Sequence, residues 1–249
     1  MSSWFFNVLH TVEGSLRDYH ALAQYHYRTE PIRPVTNIYK IRARHPFRKD
    51  FPDPIAVIVY RMPIPDLRAR AQATNGYFHQ PSTLSARLKL VNKTIRYIAR
   101  LIVDPRFRRL GLATKLLTES LATQTVPIVE TLTPIDFTNI IFQRAGFTLH
   151  YIEAPTWYHR FVKFLEQIGL EDWDQLLPST LQHRLALLDA EHSTLAEKEI
   201  KAFIKHFIRR QDMPAGIDRC KFLLSKIPFP QAYLIWRNAN WQLPRSSPQ

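Results

Sequence analysis

The chain has 249 residues and carries 34 Lys and Arg against 21 Asp and Glu, which gives a formal charge of +13. Hydrophobic residues at 45% and charged residues at 22% are ordinary globular values, and they exclude wholesale disorder. A single cysteine excludes an internal disulfide framework and a cysteine-based zinc cluster. Because no apolar run is long enough to span a membrane and no signal peptide is evident, we expect a soluble, cytoplasmic protein.

The excess positive charge lies in one third of the chain. Residues 31–110 contain 17 basic and 4 acidic side chains, whereas the remaining 169 residues contain 17 of each. A charge concentrated in this way indicates a local anionic partner rather than a diffuse solubility charge.

Strands and helices alternate through the first 150 or so residues. Strands are predicted over residues 4–10, 37–44, 54–62, 95–103, 126–130 and 147–152. Helices are predicted from Ser15, from near Ser82, and over residues 111–123 and 136–144. Residues 63–93 are interpreted as an insertion between two strands. Such alternation favours a mostly parallel or mixed sheet with helices on its faces.

Beyond Pro155 the pattern becomes helical. Helical periodicity is found over residues 157–168, 180–190, 194–210 and 218–227, and residues 232–238 are compatible with either a strand or a helix. We therefore predict an α/β domain over residues 1–154, with the insertion at about 63–93, and a mainly helical C-terminal segment over residues 155–249.

The most informative segment is IVDPRFRRLGLATKLL, residues 102–117. A buried strand runs into a basic turn and then into a helix whose first residues are small. The first N–H groups of a helix have no partner within it, and the helix dipole places partial positive charge there. Small residues also let a phosphate approach the backbone closely. The segment therefore predicts an anion site, with an ordinary strand–helix turn carrying solvated arginines as the alternative.

The same segment resembles the acyl-CoA signature of the GNAT N-acetyltransferase superfamily, Arg/Gln-x-x-Gly-x-Gly/Ala, which residues 108–113 (RRLGLA) match. A second family landmark, an aromatic residue followed by a Gly-Phe pair, is met by Phe142 and by Gly146-Phe147. The resemblance implies a GNAT-like mixed, splayed central sheet flanked by helices, here with a C-terminal helical appendage. It also implies acetyl-CoA, or another acyl-CoA, as the cofactor.

A narrower resemblance involves three short stretches, His26-Tyr27-Arg28, residues 99–103 and Val129-Glu130-Thr131. They look like the acetyltransferase-like part of certain prokaryotic proteins fused to an ABC-type ATPase. The chain contains no Gly-x-x-x-x-Gly-Lys-Ser/Thr loop, so the ATPase half is missing from it. This narrower resemblance names no substrate.

By resemblance, the backbone amides of the turn and helix start hold the CoA pyrophosphate, and a strand N–H near Ile102 or Val103 polarises the acyl carbonyl. The residues that the resemblance assigns to CoA are Ile102, Val103, Arg108, Arg109, Leu110, Gly111, Leu112, Ala113, Thr114, Asn139 and Phe142. Catalysis would be direct transfer of the acyl group to an amine-bearing acceptor, accelerated by positioning and by stabilisation of the oxyanion.

Two departures from the family pattern affect the chemistry. Phe142 stands where these enzymes often have a tyrosine that protonates the departing thiolate, and residues 95–103 contain no carboxylate base. Glu130 is the replacement base by position, with a carboxylate that pairs Arg100 or caps the following turn as the alternative. His26 and Tyr27 are the next catalytic candidates, with a histidine of no chemical role as the alternative for His26.

Two functions compete on these grounds. The first is an acyl-CoA-dependent N-acyltransferase. The second is a GNAT-fold protein directed at nucleic acid, through base modification or non-catalytic binding, that uses the basic region 31–110. Aromatic residues interleave with the cations of that region, as stacking on unpaired bases requires, and they are Tyr39, Phe47, Phe51, Tyr60, Tyr77 and Phe78. The 10 histidines show no metal-ligand spacing, so no metal is expected.

Overall fold

The computed structural model describes residues 3–26, 32, 34–133, 138–171, 177–208, 213–227 and 232–239. The chain forms two compact units, of which the first comprises Met1–Tyr151 with Ala232–Gln249 and the second Ile152–Gln231. Within the described ranges, no helix is both long enough and apolar enough to cross a membrane.

Seven strands of the first unit form one sheet. They are β1 (Leu9–Glu13), β2 (Val35–Ala43), β3 (Ala56–Arg61), β4 (Ile95–Val103), β5 (Ile128–Thr133), β6 (Thr148–Tyr151) and β7 (Ala232–Arg237). Their spatial order is β1-β2-β3-β4-β5-β7-β6. The pair β4–β5 is parallel and the other five pairs are antiparallel. The mixed sheet flanked by helices that the sequence predicted is thus confirmed.

Six helices accompany this sheet. They are α1 (Ser3–Val8), α2 (Leu16–Leu22), α3 (Arg68–Ala73), α4 (Leu84–Thr94), α5 (Leu112–Ala122) and α6 (Thr138–Arg144). The start of α2 is fixed by a capping box, in which the Ser15 hydroxyl accepts from the Asp18 N–H and the Asp18 carboxylate accepts from the Ser15 N–H. This helix begins where the sequence predicted it.

The prediction of a strand over residues 4–10 is wrong, because the chain forms α1 over Ser3–Val8 and enters β1 only at Leu9. A short, continuous apolar run is equally compatible with a buried strand and a buried helix. Here Phe5 and Phe6 pack against the main hydrophobic core and meet edge-to-face, with ring centroids 5.8 Å apart.

The two faces of the sheet carry separate cores. On one face, α5 packs over β1–β4 through residues such as Leu116 and Leu117, which meet Ile41 and Ile58. On the other face, α2 covers a smaller cluster of Tyr19, Leu22, Ile38, Val57, Val59 and Ile102. Every residue from Ala56 to Tyr60 is 0% exposed, so β3 is buried on both faces, as its unbroken apolar run predicted.

A β-bulge at Ala99 interrupts the pairing of β4 with β3, where Val59 opposes Arg100 but Tyr60 opposes Ile98. The extra residue reverses the alternation of side chains along β4. Ile98 therefore joins Leu101 on the α5 face, although the two are three residues apart.

The described residues of the second unit form four helices, α7 (Thr156–Gln167), α8 (Pro178–Ala186), α9 (Ala190–Lys205) and α10 (Ile217–Lys226). Their shared core includes Phe161, Phe164, Leu165, Phe203 and Leu223. The sequence placed residues 155–249 in one helical segment, whereas the structure places β7 in the sheet between β5 and β6. The helical unit is therefore inserted, along the chain, between two strands of the first unit.

Candidate functional site

The strands β4 and β5 separate after a short paired stretch. Only Ile95–Tyr97 of β4 pair with Ile128–Glu130 of β5. At the point of separation, the Thr131 hydroxyl donates to the Ile98 carbonyl at 3.1 Å, and the Leu132 N–H donates to the Tyr97 hydroxyl at 3.3 Å. On its other edge β5 pairs with β7 along its whole length, and the rest of β4 has an unpaired edge on the β5 side within the described residues.

The unpaired edge exposes the backbone of alternate residues. The Asp104 N–H donates to the Ile55 carbonyl at 3.0 Å, which directs the backbone of Ile102 toward β3 as well. By the same alternation, the backbone groups of Leu101 and Val103 face the gap between β4 and β5, which we call the opening. Of the two residues that the resemblance named for the acyl carbonyl, Val103 lies on the open edge, whereas Ile102 faces β3.

The turn after β4 is held by a buried carboxylate. Asp104 is 2% exposed, and its side chain accepts from the Arg106 N–H at 3.0 Å and from the Arg106 guanidinium at 2.7 and 3.0 Å. These hydrogen bonds, together with the positive charge of Arg106, keep the pKa of the Asp104 carboxyl below its ordinary value. Since the Arg106 guanidinium is engaged by Asp104, it is not a free cation for a ligand.

Two residues of the turn adopt the left-handed backbone region, Arg109 with φ +63° and Gly111 with φ +79°. Gly111 is the N-cap residue of α5, and no side chain caps the helix there. Within the described part of the chain, the N–H groups of residues 109–114 have no hydrogen-bond partner, and the first N–H of α5 to find one is that of Lys115, which bonds the Gly111 carbonyl. A row of backbone donors is thus presented at the positive end of a helix dipole.

The remaining arginines of the turn differ in their contacts. The Arg108 guanidinium donates to the Val103 carbonyl at 3.3 Å and to the Tyr25 carbonyl at 3.4 Å, so it ties the end of the α2 region to the turn. Arg109 is exposed, and its side chain forms no hydrogen bond or ion pair with the described residues. Arg109 is therefore the side chain of the turn best placed to contribute charge to a bound anion.

The other turn residues assigned to CoA can act mainly through their backbone. Leu112 is 1% exposed and belongs to the main core, and Leu110 packs against that core. Ala113 and Thr114 are half-buried in the first turn of α5. A Cβ at Gly111 would lie 3.8 Å from Phe6, an ordinary van der Waals contact, so no neighbouring atom crowds this position.

The second landmark forms the C-terminus of α6. Gly146 has φ +90°, its N–H bonds the Gln143 carbonyl, and the Phe147 N–H bonds the Phe142 carbonyl at 3.1 Å. This Schellman arrangement folds Phe147 edge-to-face onto Phe142, with ring centroids 5.2 Å apart. Phe142 is 5% exposed within the core, and the side chain of Asn139 is outside the described residues. A cofactor role for these two residues stays a prediction.

Glu130 is 0% exposed and its carboxylate is fully engaged. It accepts from Arg70 through both oxygens, at 2.9 and 2.6 Å, and from the Tyr233 hydroxyl at 2.8 Å. Arg70 also donates to the backbone carbonyls of Ile64 and Pro65. The partner of Glu130 is therefore Arg70, which comes from the inserted segment, and this buried ion pair leaves no oxygen free to take a proton from an amine.

The two remaining catalytic candidates lie just after α2. His26 is half-buried and follows a short 3₁₀ turn, Ala23–Tyr25, whose Ala23 carbonyl accepts from the His26 N–H. Since the preceding residue, Tyr25, contacts Arg108, His26 lies at the end of the sheet that carries the turn. Tyr27 is outside the described residues.

The aromatic residues of the basic region are buried or half-buried. Tyr60 is 0% and Phe78 2% exposed, and Tyr77 meets Phe78 edge-to-face at 5.1 Å. Tyr39, Phe47 and Phe51 pack against the main core. Tyr60 and Phe78 are therefore not available for stacking on unpaired bases, and for the other four rings, which are half-buried, such stacking stays a prediction.

Among the described residues, no three His, Cys, Asp or Glu side chains are grouped where they could hold a metal ion. No protein-family model matches the chain. No curated protein matches its sequence significantly.

The solved structures that resemble this one include GNAT acetyltransferases. One is the ribosomal-protein-S18-alanine N-acetyltransferase from Escherichia coli, at 11% identity and TM-score 0.35, covering 59% of this chain and 84% of that one. Another is the NatC complex bound to Gag peptide and CoA, at 14% identity and TM-score 0.37, covering 60% of this chain and 89% of that one. The likeness concerns the fold alone.

Proposed function

We propose that the protein is an acyl-CoA-dependent N-acyltransferase that transfers an acyl group, most simply acetyl, from CoA to an amine. The proposal rests on two features that follow each other directly in the chain. The unpaired edge of β4 leads directly into a turn whose backbone N–H groups have no partner among the described residues and whose Arg109 side chain is exposed. An extended amide-bearing chain that ends in a diphosphate is complementary to such a segment.

The strand edge suits the pantetheine arm. Leu101 offers its N–H and C=O and Val103 its N–H at the spacing of a sheet, while the Val103 carbonyl also accepts from Arg108, and an extended ligand can add to such an edge as a further strand does. The N–H groups of residues 109–114 suit the diphosphate, since helix starts bind phosphates through backbone donors. The thioester itself supplies an activated acyl group next to the opening between β4 and β5.

In the transfer step, the protein positions the reactants and places polar groups beside the acyl oxygen and the amine. A strand N–H aimed into the opening, with that of Val103 as the candidate, would stabilise negative charge that develops on the acyl oxygen. The amine must lose a proton, and the engaged carboxylate of Glu130 is a poor acceptor for it. His26 is the candidate base on the described part of the chain, and Phe142 has no proton to donate to the leaving thiolate.

Isothermal titration of the full-length protein with acetyl-CoA tests this proposal. Gly111→Glu should abolish binding, because it places a carboxylate among the phosphate donors and forces a side chain onto a φ of +79°. Gly76→Glu is the matched control, since Gly76 has φ +71° and open space around it but lies in the inserted segment. Absence of heat with the wild-type protein at millimolar ligand would refute acyl-CoA binding.

A further inference from the structure

The 17 basic residues between positions 31 and 110 are not equally available to a partner. Lys40 bonds Asp18 and Asp53, each at 2.7 Å, and Arg70 is buried against Glu130. The Arg106 guanidinium bonds Asp104 at 2.7 Å. These internal pairs use Asp53 and Asp104, two of the four acidic residues of the region, so its remaining cations have few acids to neutralise them.

The topology gathers several of the remaining cations at one end of the sheet. Because β3 is antiparallel to both β2 and β4, those two strands run in the same direction and end at the same edge. The register shows this directly, since Ala56 opposes both Ile41 of β2 and Val103 of β4. The chain that follows β2 therefore emerges beside the turn that follows β4.

Four basic side chains of the region at this end form what we call the cationic rim, and they are Arg42, Arg44, Arg48 and Lys49, with His10 beside them. His10 and Arg42 are directly opposite each other on β1 and β2, so their side chains share one face. The Arg44 N–H donates to the Val8 carbonyl at 2.6 Å, which places Arg44 next to the start of β1.

Electrostatics within the rim agree with this geometry. Partial burial and then the positive charges of Arg42, Arg44 and Arg48 lower the pKa of His10. Arg44, Arg48 and Lys49 are exposed, and no rim residue forms an ion pair with a described acidic side chain. The acid nearest to them in sequence, Asp50, is alone against three cations in residues 44–50. The rim thus carries uncompensated positive charge.

We propose that the cationic rim binds the phosphate backbone of a nucleic acid. Three of its four side chains are arginines, whose planar forks bind phosphate oxygens in a bidentate manner. Since Tyr60 and Phe78 are buried and Tyr39, Phe47 and Phe51 pack against the main core, recognition would depend mainly on the nucleic-acid backbone and less on base stacking. The turn after β4 has its own backbone donors for an anion, so CoA does not need the rim. Binding of nucleic acid does not require acyl transfer.

Fluorescence anisotropy with labelled mixed-sequence RNA and DNA oligonucleotides, at increasing KCl concentrations, tests the proposal on the full chain. The rim variant is Arg44→Gln with Arg48→Gln. The control variant is Lys89→Gln with Lys93→Gln, which removes the same charge from exposed positions on α4, the helix that leads into the opposite end of β4. All four side chains are exposed, so both variants should unfold thermally like the wild type.

The rim variant should bind at least about tenfold more weakly, and the slope of log affinity against log salt should fall by about two. The control variant should bind like the wild type. Equal losses in both variants, no binding by the wild type, or an affinity that does not depend on salt would each overturn the proposal. Equally tight binding of poly-glutamate would also overturn it, because the surface would then recognise acidic protein.

Acetyl-CoA titrations of the same two variants separate this inference from the acyltransferase proposal. If the rim variant loses acetyl-CoA affinity but keeps its nucleic-acid affinity, the rim serves the CoA phosphates and the inference is wrong. If the wild type binds nucleic acid but no acetyl-CoA, the inference stands and the acyltransferase proposal fails.

Discussion

Single backbone conformations define the candidate anion site. Arg109 and Gly111 both adopt the left-handed region, and the turn they form leaves the N–H groups of residues 109–114 without partners among the described residues. For glycine this conformation has little cost, but for a residue with a Cβ it costs about 1–2 kcal/mol. An arginine held in this conformation, exposed and without an internal contact, is one whose side chain is available for a ligand.

Replacement of Arg109 by glycine should therefore weaken acetyl-CoA binding while leaving the stability of the protein almost unchanged. Relief of the left-handed strain offsets the about 0.4–1 kcal/mol by which glycine favours the unfolded chain, so the free energy of unfolding should change by less than about 1 kcal/mol. The affinity for acetyl-CoA should fall by about ten- to a hundredfold, since a charge-assisted bond contributes about 1.5–3 kcal/mol. Calorimetric titration and chemical denaturation measure the two quantities.

Asn75→Gly is the matched control for this change, because Asn75 also has a positive φ, +48°, but lies in the turn of the inserted segment. It should leave acetyl-CoA affinity unchanged. An Arg109→Gly variant with wild-type affinity would show that the Arg109 side chain does not meet the ligand.

At the scale of elements, the two edges of β4 differ in their strand pairing. Toward β3 it is paired from Tyr97 to Val103 apart from the bulge at Ala99, and toward β5 it has no strand partner after Tyr97 among the described residues. Side chains complete the separation, since Thr131 and Tyr97 satisfy backbone groups of the two diverging strands. Specific side-chain hydrogen bonds therefore fix the point at which β4 and β5 separate, and the strands do not simply fray there.

Proline substitutions distinguish the two edges of β4. Val103→Pro removes an N–H that faces the opening, so it should abolish acetyl-CoA binding while the protein still unfolds cooperatively. Ile102→Pro removes an N–H that faces β3 and leaves a buried carbonyl unsatisfied, which adds about 1–3 kcal/mol of destabilisation. Denaturant unfolding and acetyl-CoA titration on both variants measure these effects. Retained acetyl-CoA affinity in a folded Val103→Pro variant would contradict the role of this edge.

The elements that could be predicted from sequence are those set by local patterns. The apolar run of β3, the Ser15–Asp18 capping box and the basic turn before α5 each depend on residues close in sequence. The ion pair of Glu130 could not be predicted, because Arg70 is 60 residues away and only the folded sheet brings them together. The helical start of the chain was missed because its apolar run has no clear period.

At the scale of the whole molecule, the position of β7 in the sheet differs most from what the sequence predicted. It follows the helical unit in sequence but pairs with β5 over Ile128–Thr133 and with β6 over Thr148–Tyr151. A domain boundary near residue 154, as the sequence suggested, would remove a strand from the interior of the sheet. Local periodicity over 232–238 could not decide this, since short buried segments are ambiguous between strand and helix.

Truncation of the chain after Ile227 should therefore unfold the first unit, although that unit's longest continuous segment remains. Tyr233, Leu234 and Ile235 are each 0% exposed, and full burial of such side chains contributes about 1.5–3 kcal/mol apiece. The loss of roughly 5–9 kcal/mol, together with the unpaired edges left on β5 and β6, is comparable to the whole stability of a typical domain, about 5–15 kcal/mol.

Truncation after Ala239 keeps β7 and is the control. Thermal unfolding followed by circular dichroism should show a cooperative transition of the sheet unit for the longer chain and none for the shorter one. If both chains unfolded at the same temperature, β7 would be dispensable, and the sheet would be stable without its sixth strand in spatial order.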